Sequence, residues 1–289
     1  YSGGKLSYNA IIPNEDLCFF KEVWVAESRS AIAPLSSQGT LAKNAYLGFF
    51  FNETFTEFDN ATDAIKHFDL NYIGLDMNVE RGGNNQKKFI LKPKGSNYSS
   101  FELRHASSGI QTTAPLIAMM NYYAQAFDFK LAQKRSIIDL LFEKNLTTQY
   151  RPEMELTDMP KYVHIHIEEP ELSLDPTSQI QMLNEIIRLA FYSKVDSREI
   201  GLVLATHSPY IINSLNLLMK AHDCKTDIDG AHVGYDDLSV YQILSGGVAD
   251  LKVKNIHYVN TDRLSEDINN IYDKYQELKQ LQNEESLGK

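Results

Sequence analysis

The sequence predicts an α/β fold, a mostly parallel sheet flanked by helices as a three-layer sandwich. Three observations predict it. Tyr162-Val-His-Ile-His-Ile167 alternates Val163, Ile165 and Ile167 with Tyr162, His164 and His166, the pattern of a short buried strand. Pro170 blocks its continuation just after Glu168-Glu169. Ile200-Gly-Leu-Val-Leu-Ala205 is a second apolar strand, and it too runs into polar residues, Thr206-His-Ser-Pro209. Between the two, Asp175 and Pro176 suit an N-cap and a first helical position, and Ile180, Leu183, Ile187 and Phe191 follow at helical spacing.

At 289 residues the chain can bury a proper core, and 43% hydrophobic content is that of a globular protein. A net charge of −10 excludes a whole-protein basic footprint for nucleic acid, though not a local patch. Two cysteines, Cys18 and Cys224, provide no disulfide framework, so a reducing cytoplasm is expected. The sequons at Asn52, Asn60, Asn97 and Asn145 then carry no meaning. No signal peptide or membrane-length apolar run is present, and Tyr46-Leu-Gly-Phe-Phe-Phe51 is too short to span a bilayer.

The opening Tyr1-Ser-Gly-Gly-Lys5 lacks an initiator Met and precedes strand-like sequence directly, so a cut or a gap is expected there. Gly3, Gly4 and Lys5 read as a polar turn, because a phosphate loop needs Gly-x4-Gly-Lys-Ser/Thr and Lys5 is followed by Leu6. Phe19–Ala26 reads as a strand leading into Glu27-Ser-Arg-Ser30. Arg29 there suits a surface salt bridge or a phosphate contact. Residues 40–80, with an amphipathic stretch around Ala61–Phe68, read as helical. Glu80–Gln86, with Lys87 and Lys88, reads as a polar turn, and Phe89-Ile-Leu-Lys and Phe101-Glu-Leu-Arg as a β pair. Ser107-Ser108-Gly109 opens a helix that runs from Thr113 to about Phe127, with Leu116, Ala118, Met119, Met120, Tyr123 and Phe127 for the core. A second helical segment covers Lys130–Asn145, and Thr148–Pro160 is a charged connection. Beyond His207, Tyr210–Ala221 reads as a helix and Cys224–Gly234 as a polar loop. Leu238–Leu244 reads as a strand, Gly246-Gly247 as a turn and Ile256–Val259 as a short strand. Ile268, Ile271, Tyr275, Leu278 and Leu281 mark a terminal amphipathic helix that packs on its own domain or on a partner.

Two adjacent carboxylates, Glu168 and Glu169, displayed at the carboxyl end of an apolar strand occupy the edge where open α/β sheets bind ligands. Such a strand is the Walker B arrangement of nucleotide hydrolases. Leu172-Ser-Leu-Asp-Pro176 resembles the D-loop that follows Walker B in ABC-type ATPases, Thr206-His-Ser-Pro209 resembles their H-loop, and Ala106-Ser-Ser-Gly-Ile-Gln111 their signature. The signature departs from the family at Ala106, usually Leu, and at Ser108, usually Gly. The four motifs stand in the family's order, so the chain resembles an ABC-like ATPase head of the SMC, RecF and OLD-like prokaryotic group. It is similar to the C-terminal part of such a P-loop NTPase-like head, with the phosphate-loop lobe missing. Residues 1–105 would be the remainder of the N-terminal and helical part, 106–259 the core with all four motifs, and 260–289 the terminal helix.

The resemblance implies ATP and Mg²⁺ as ligands, and a homodimer of heads that sandwiches ATP, with no membrane partner. Glu168 would associate with the metal, Glu169 would polarise the attacking water, and His207 would contact the γ-phosphate. Ser107, Ser108 and Gly109 would reach the nucleotide of the opposite head, with Asp175 in the D-loop. It further implies anti-phage defence or DNA maintenance, with a nuclease or other effector protein and DNA or RNA as partners. Two other readings stay open: a non-hydrolysing scaffold or interaction subunit, and a zinc hydrolase in which His164 and His166, on one strand face, ligate the metal. Asp227-Ile-Asp229 is similar to the metal pair of a Toprim nuclease but reads as an Asp-rich turn.

Overall fold

The computed structural model describes residues 18–36, 48–82, 86–95, 98–144, 160–253 and 255–287. The sequence readings at Tyr1–Leu6 and 148–159 lie outside these residues. The chain forms two compact units. One is Tyr1–Ser173 with Leu189–Ala205, and the other is Leu174–Arg188 with Thr206–Lys289. The stretch 106–259 contributes to both.

In the first unit, β1 (Phe19–Val25), β6 (Lys161–Glu168) and β7 (Glu199–Ala205) form a parallel sheet in the order β1-β6-β7. Alternation decides its faces. Val23, Val25, Val163, Ile165, Ile167 and Ile200 are buried on one side. Three segments cover the core of this unit: α1 (Ile32–Ser36), α2 (Phe49–Ala64) and α3 (Ser108–Asn121). Thr112 through Met120 of α3 is buried without interruption, the signature of a central helix rather than a surface one. The chain then widens into i→i+5 bonding over Tyr122–Ala126 before α4 (Phe129–Glu143).

The expectation of a mostly parallel sheet is met only by these three strands. Among the described residues the other sheets are antiparallel: β2 (His67–Leu70), β3 (Leu75–Arg81), β4 (Lys87–Pro93) and β5 (Phe101–Glu102) in one, with two short pairs in the second unit. The helical reading of 40–80 therefore fails beyond Ala64. Phe68, Leu70, Leu75, Met77 and Val79 repeat every second residue and are all buried, so the segment after α2 satisfies a pleated face and not a helical stripe. Glu80, Arg81, Lys87 and Lys88, read as turn residues, pair across β3 and β4. The pairing of Phe101 with Leu91 bears out the expected β pair.

A polar network lies beneath the parallel sheet. Glu57 of α2 is buried, accepts from Lys21 of β1 at 2.7 Å and receives a short hydrogen bond from the hydroxyl of fully buried Tyr123. Burial, with the field and hydrogen bond of Glu57, pushes the Tyr123 hydroxyl well above its ordinary range, so it stays protonated and donates. Arg198, also buried, donates to the Tyr123 carbonyl at 2.7 Å and lies over the Phe129 ring.

In the second unit, α5 (Pro176–Ile187) and α6 (Pro209–Asp223) pack together. The antiparallel pairs are β8 (Tyr241–Leu244) with β9 (Gly247–Asp250), and β10 (Lys252–Val253) with β11 (Tyr258–Val259). Gly246, at φ 90°, makes the β8–β9 turn. The expected strands at Leu238–Leu244 and Ile256–Val259 are both shorter than read. Phe191, counted on the stripe of Leu183 and Ile187, is exposed, because a wider turn over Arg188–Tyr192 rotates it away. The final helix, α7, spans Asp262–Leu287. No described helix is long and apolar enough to cross a membrane.

Tyr123→Phe should lower stability by roughly 1.5–3 kcal/mol, the range for a hydrogen bond to a charged group, because Glu57 stays buried with one donor fewer. Urea unfolding would measure it, and an unchanged midpoint would show that the Tyr123–Glu57 contact carries no weight.

Candidate functional site

Register places the acidic pair. Val25 stands beside Ile167, and Glu168 stands beside Ala205, so all three parallel strands end together at the Glu168-Glu169 turn. The Glu169 amide donates to the Ala205 carbonyl at 2.8 Å, which extends the ladder one residue. The backbone then turns, with Glu169 at φ 42° and Leu172 N donating to the Glu169 carbonyl at 3.0 Å. A non-glycine residue in that region is unusual and costs roughly 1–2 kcal/mol.

Arg29 holds this turn. It sits in the 3-10 turn Glu27–Ala31 directly after β1 and is 0% exposed. One terminal nitrogen donates to the Glu168 carbonyl at 2.7 Å and the Ala26 carbonyl at 3.1 Å, and the other donates to the Glu169 carbonyl at 2.5 Å. Burial pulls its guanidinium down to about 10, against the opposing fields of Glu171, Glu169, Glu168 and Glu27, so it remains charged at neutral pH. The sequence reading left Arg29 as a surface salt bridge or a phosphate contact. In the structure it is a buried clamp on backbone carbonyls. The available signal was its place, one turn past a strand that parallel pairing sets beside the acidic strand.

The signature-like residues also belong to the first unit. Ser107 is the N-cap of α3 at φ −60° and ψ 156°, and its side chain makes no capping hydrogen bond. Ser107 and Ser108 are exposed and Gly109 is buried. The Thr112 hydroxyl lies 2.9 Å from the Gly109 carbonyl and 3.0 Å from the Leu172 carbonyl, which ties the first turn of α3 to the turn after Glu169. Gln111 bonds the Arg104 and Ala106 carbonyls and closes the approach to the helix.

Asp175 and His207 belong to the second unit. Asp175 caps α5, accepting from Thr177 N at 3.0 Å and Ser178 N at 3.2 Å, with Pro176 in the first turn, as the sequence reads. The Ser178 hydroxyl and amide, then the Thr177 amide, hold the Asp175 carboxyl below the usual carboxylate range. Ser208, one residue past His207, caps α6 and donates to Gln179, whose amide nitrogen in turn donates to the Leu174 carbonyl. One glutamine thus connects the D-loop-like and H-loop-like segments.

His164 and His166 share a sheet face, as their spacing requires. His166 stacks on Trp24 with ring centroids 4.1 Å apart, and His164 meets Phe20 edge-on at 4.5 Å. No group of three or more His, Cys, Asp or Glu residues suited to a metal gathers among the described residues. Asp227 accepts from Gly230 N, the turn chemistry read from the sequence, whereas Asp229 accepts from Asn184 of α5. Neither a protein-family model nor a curated protein matches the chain.

Arg29→Ala should cost roughly 3–5 kcal/mol in urea unfolding, because buried carbonyls lose their donors. Arg29→Lys should recover only part of it, since a point charge cannot fork between two residues. Full recovery by Lys would show that charge and not geometry matters. The carboxyl of Asp175 is depressed in the fold, so its capping contribution is complete above the unfolded value of about 3.9 and is lost as pH falls through the folded value. Asp175→Ala and wild type should therefore differ in stability at neutral pH and converge in strong acid. A pH-independent difference would sink the capping account.

Proposed function

We propose that this chain is the C-terminal part of an ABC-like ATPase head that hydrolyses ATP as a head-to-head dimer. The observation that carries the reading is the end of the parallel sheet, where Glu168 and Glu169 leave β6 beside the end of β7 in a turn fixed by Arg29. Hydrolysis needs water placed in line with the bond between the γ-phosphorus and its bridging oxygen, and a base near that water. Glu169 accepts the proton as the water oxygen bonds phosphorus. The bridging bond breaks, its electron pair leaves with ADP, and inorganic phosphate is released. His207, inside Thr206-His-Ser-Pro209, takes the phosphate contact that its motif assigns.

Glu168 fits Mg²⁺. Its carboxylate supplies a hard oxygen, which lies a long 3.4 Å from the Glu27 amide. Magnesium at nucleotide sites takes one or two carboxylates and completes its shell with phosphate and water, so no larger protein cage is called for. When bound, the ion neutralises phosphate charge. Ser107, Ser108 and Gly109 offer an exposed hydroxyl pair and helix-end amides to a nucleotide held by the second head.

Residues 1–289 contain no Gly-x4-Gly-Lys-Ser/Thr. That favours a second reading, a non-hydrolysing scaffold, unless the native protein supplies the phosphate loop elsewhere. Defence against phage or DNA maintenance, with a nuclease or other effector and DNA or RNA, is the setting the motif resemblance supports.

ATP turnover of the native protein, beside Glu169→Gln, tests the reading. Wild type should hydrolyse ATP, and the variant should lose about 10²-fold or more while accumulating as an ATP-bound dimer in light scattering. No turnover in wild type selects the scaffold, and unchanged turnover in the variant removes Glu169 from the base role.

A further inference from the structure

Glu169 projects from a backbone that is pinned on both sides of its Cα. The Glu168 carbonyl belongs to the peptide plane before that Cα, and the Glu169 carbonyl to the plane after it. Arg29 donates to both, at 2.7 Å and 2.5 Å, from two nitrogens of one rigid guanidinium. The Glu169 amide, in the first plane, also donates to the Ala205 carbonyl at 2.8 Å, and Leu172 N donates to the Glu169 carbonyl at 3.0 Å. Two fixed planes leave little freedom in φ and ψ, and those angles set where the Cα–Cβ bond points. The conformation held, φ 42°, is one a glutamate rarely adopts by itself. Pro170 favours extended backbone in the residue before it, so Glu169 released from the clamp would swing away.

We propose that Arg29 is a positioning residue for hydrolysis, one that sets the direction of the Glu169 carboxylate toward the attacking water. This role rests on the hydrolase reading above. Burial separates it from a phosphate contact. Arg29 is 0% exposed, and its hydrogen bonds end on the carbonyls of Ala26, Glu168 and Glu169, so a nucleotide does not touch it in this conformation. Its effect therefore falls on the chemical step and not on ATP affinity. In-line attack needs base and water closely placed, and a displacement of about 1 Å costs on the order of 10²-fold in rate. Lysine keeps the charge but not the fork. One ammonium can bond a carbonyl without holding two peptide planes at a set angle.

ATP turnover of the native protein tests this in a double-mutant cycle, with each variant assayed where circular dichroism shows it folded. Arg29→Lys should lower kcat about 10–100-fold and leave KM for ATP within about threefold, and the ATP-bound dimer should still form in light scattering. In a Glu169→Gln background the same substitution should change the residual turnover by less than about twofold, because no base is left to aim. An arginine that acts only on the fold gives a different pattern: the same loss in both backgrounds, or a loss shared between kcat and KM. Either pattern overturns the proposal, and so does Arg29→Lys turning over as fast as wild type. Arg29→Gln, which also lacks the fork, carries the same expectations where the lysine variant does not fold. A wild type without turnover removes the hydrolase reading and this role with it. An active wild type with equal losses in both backgrounds removes this role alone.

Discussion

One guanidinium determines how the acidic strand ends. A parallel strand that stops at Glu168 leaves carbonyls pointing into the protein, and a buried carbonyl without a donor costs about 1–3 kcal/mol. Arg29 supplies donors to Glu168, Glu169 and its own Ala26, a planar fork matched to groups fixed on two adjacent strands. Burying a cation is itself expensive, and the lowered Arg29 value records that cost. The surrounding acids Glu27, Glu168, Glu169 and Glu171 offset part of it. The arrangement runs both ways: the carboxylates make the buried arginine tolerable, and the arginine shapes the backbone from which Glu168 and Glu169 project.

The positive φ of Glu169 follows from the same constraint. Its amide continues the sheet to Ala205 while its carbonyl turns toward Arg29 and accepts from Leu172 N. A residue that must satisfy both the ladder and the clamp has little choice of conformation, and the strain is stored where a carboxylate has to face one direction. Thr112 transmits this order to the start of α3 through the Leu172 carbonyl. The signature-like serines and the acidic turn are therefore parts of one packed unit, which is why a change at Arg29 should reach both.

Local signals made much of this legible in the sequence. β1, β6 and β7 were readable because alternation and β-branched residues coincide, and the cap at Asp175 because it is followed by proline and a helical stripe. The buried core of α3 was readable because it is apolar around the helix. What failed needed information from elsewhere in the chain. The segment His67–Arg81 carries enough aromatics to suit either period, and only pairing between β3 and β4 makes its strand character decisive. Glu57, Tyr123 and Lys21 are far apart in sequence, and none is remarkable alone. Arg29 is a lone basic residue in a polar turn until the sheet order sets it beneath Glu168. The widened turns after α3 and α5 have no composition signal, and one of them moved Phe191 off its expected face.

The sheet itself carries the last step. Parallel sheets are normally covered on both faces and bounded by further strands. Here the face bearing Val163, Ile165 and Ile167 is buried, while the opposite face carries Phe20, Trp24, His164 and His166 in ring contact with one another, and Val203 is 51% exposed. β7 is an edge strand among the described residues, yet Gly201-Leu-Val-Leu-Ala205 has the composition of an interior one. Apolar edges invite pairing, and β7 ends beside Glu168. Under the hydrolase reading, the strand that feeds a phosphate loop would pair at this edge, because its loop would then open at the same end of the sheet as the two carboxylates. The histidine face argues the same way: rings stacked on tryptophan and phenylalanine suit a surface awaiting a packed helix better than one arranged around a metal.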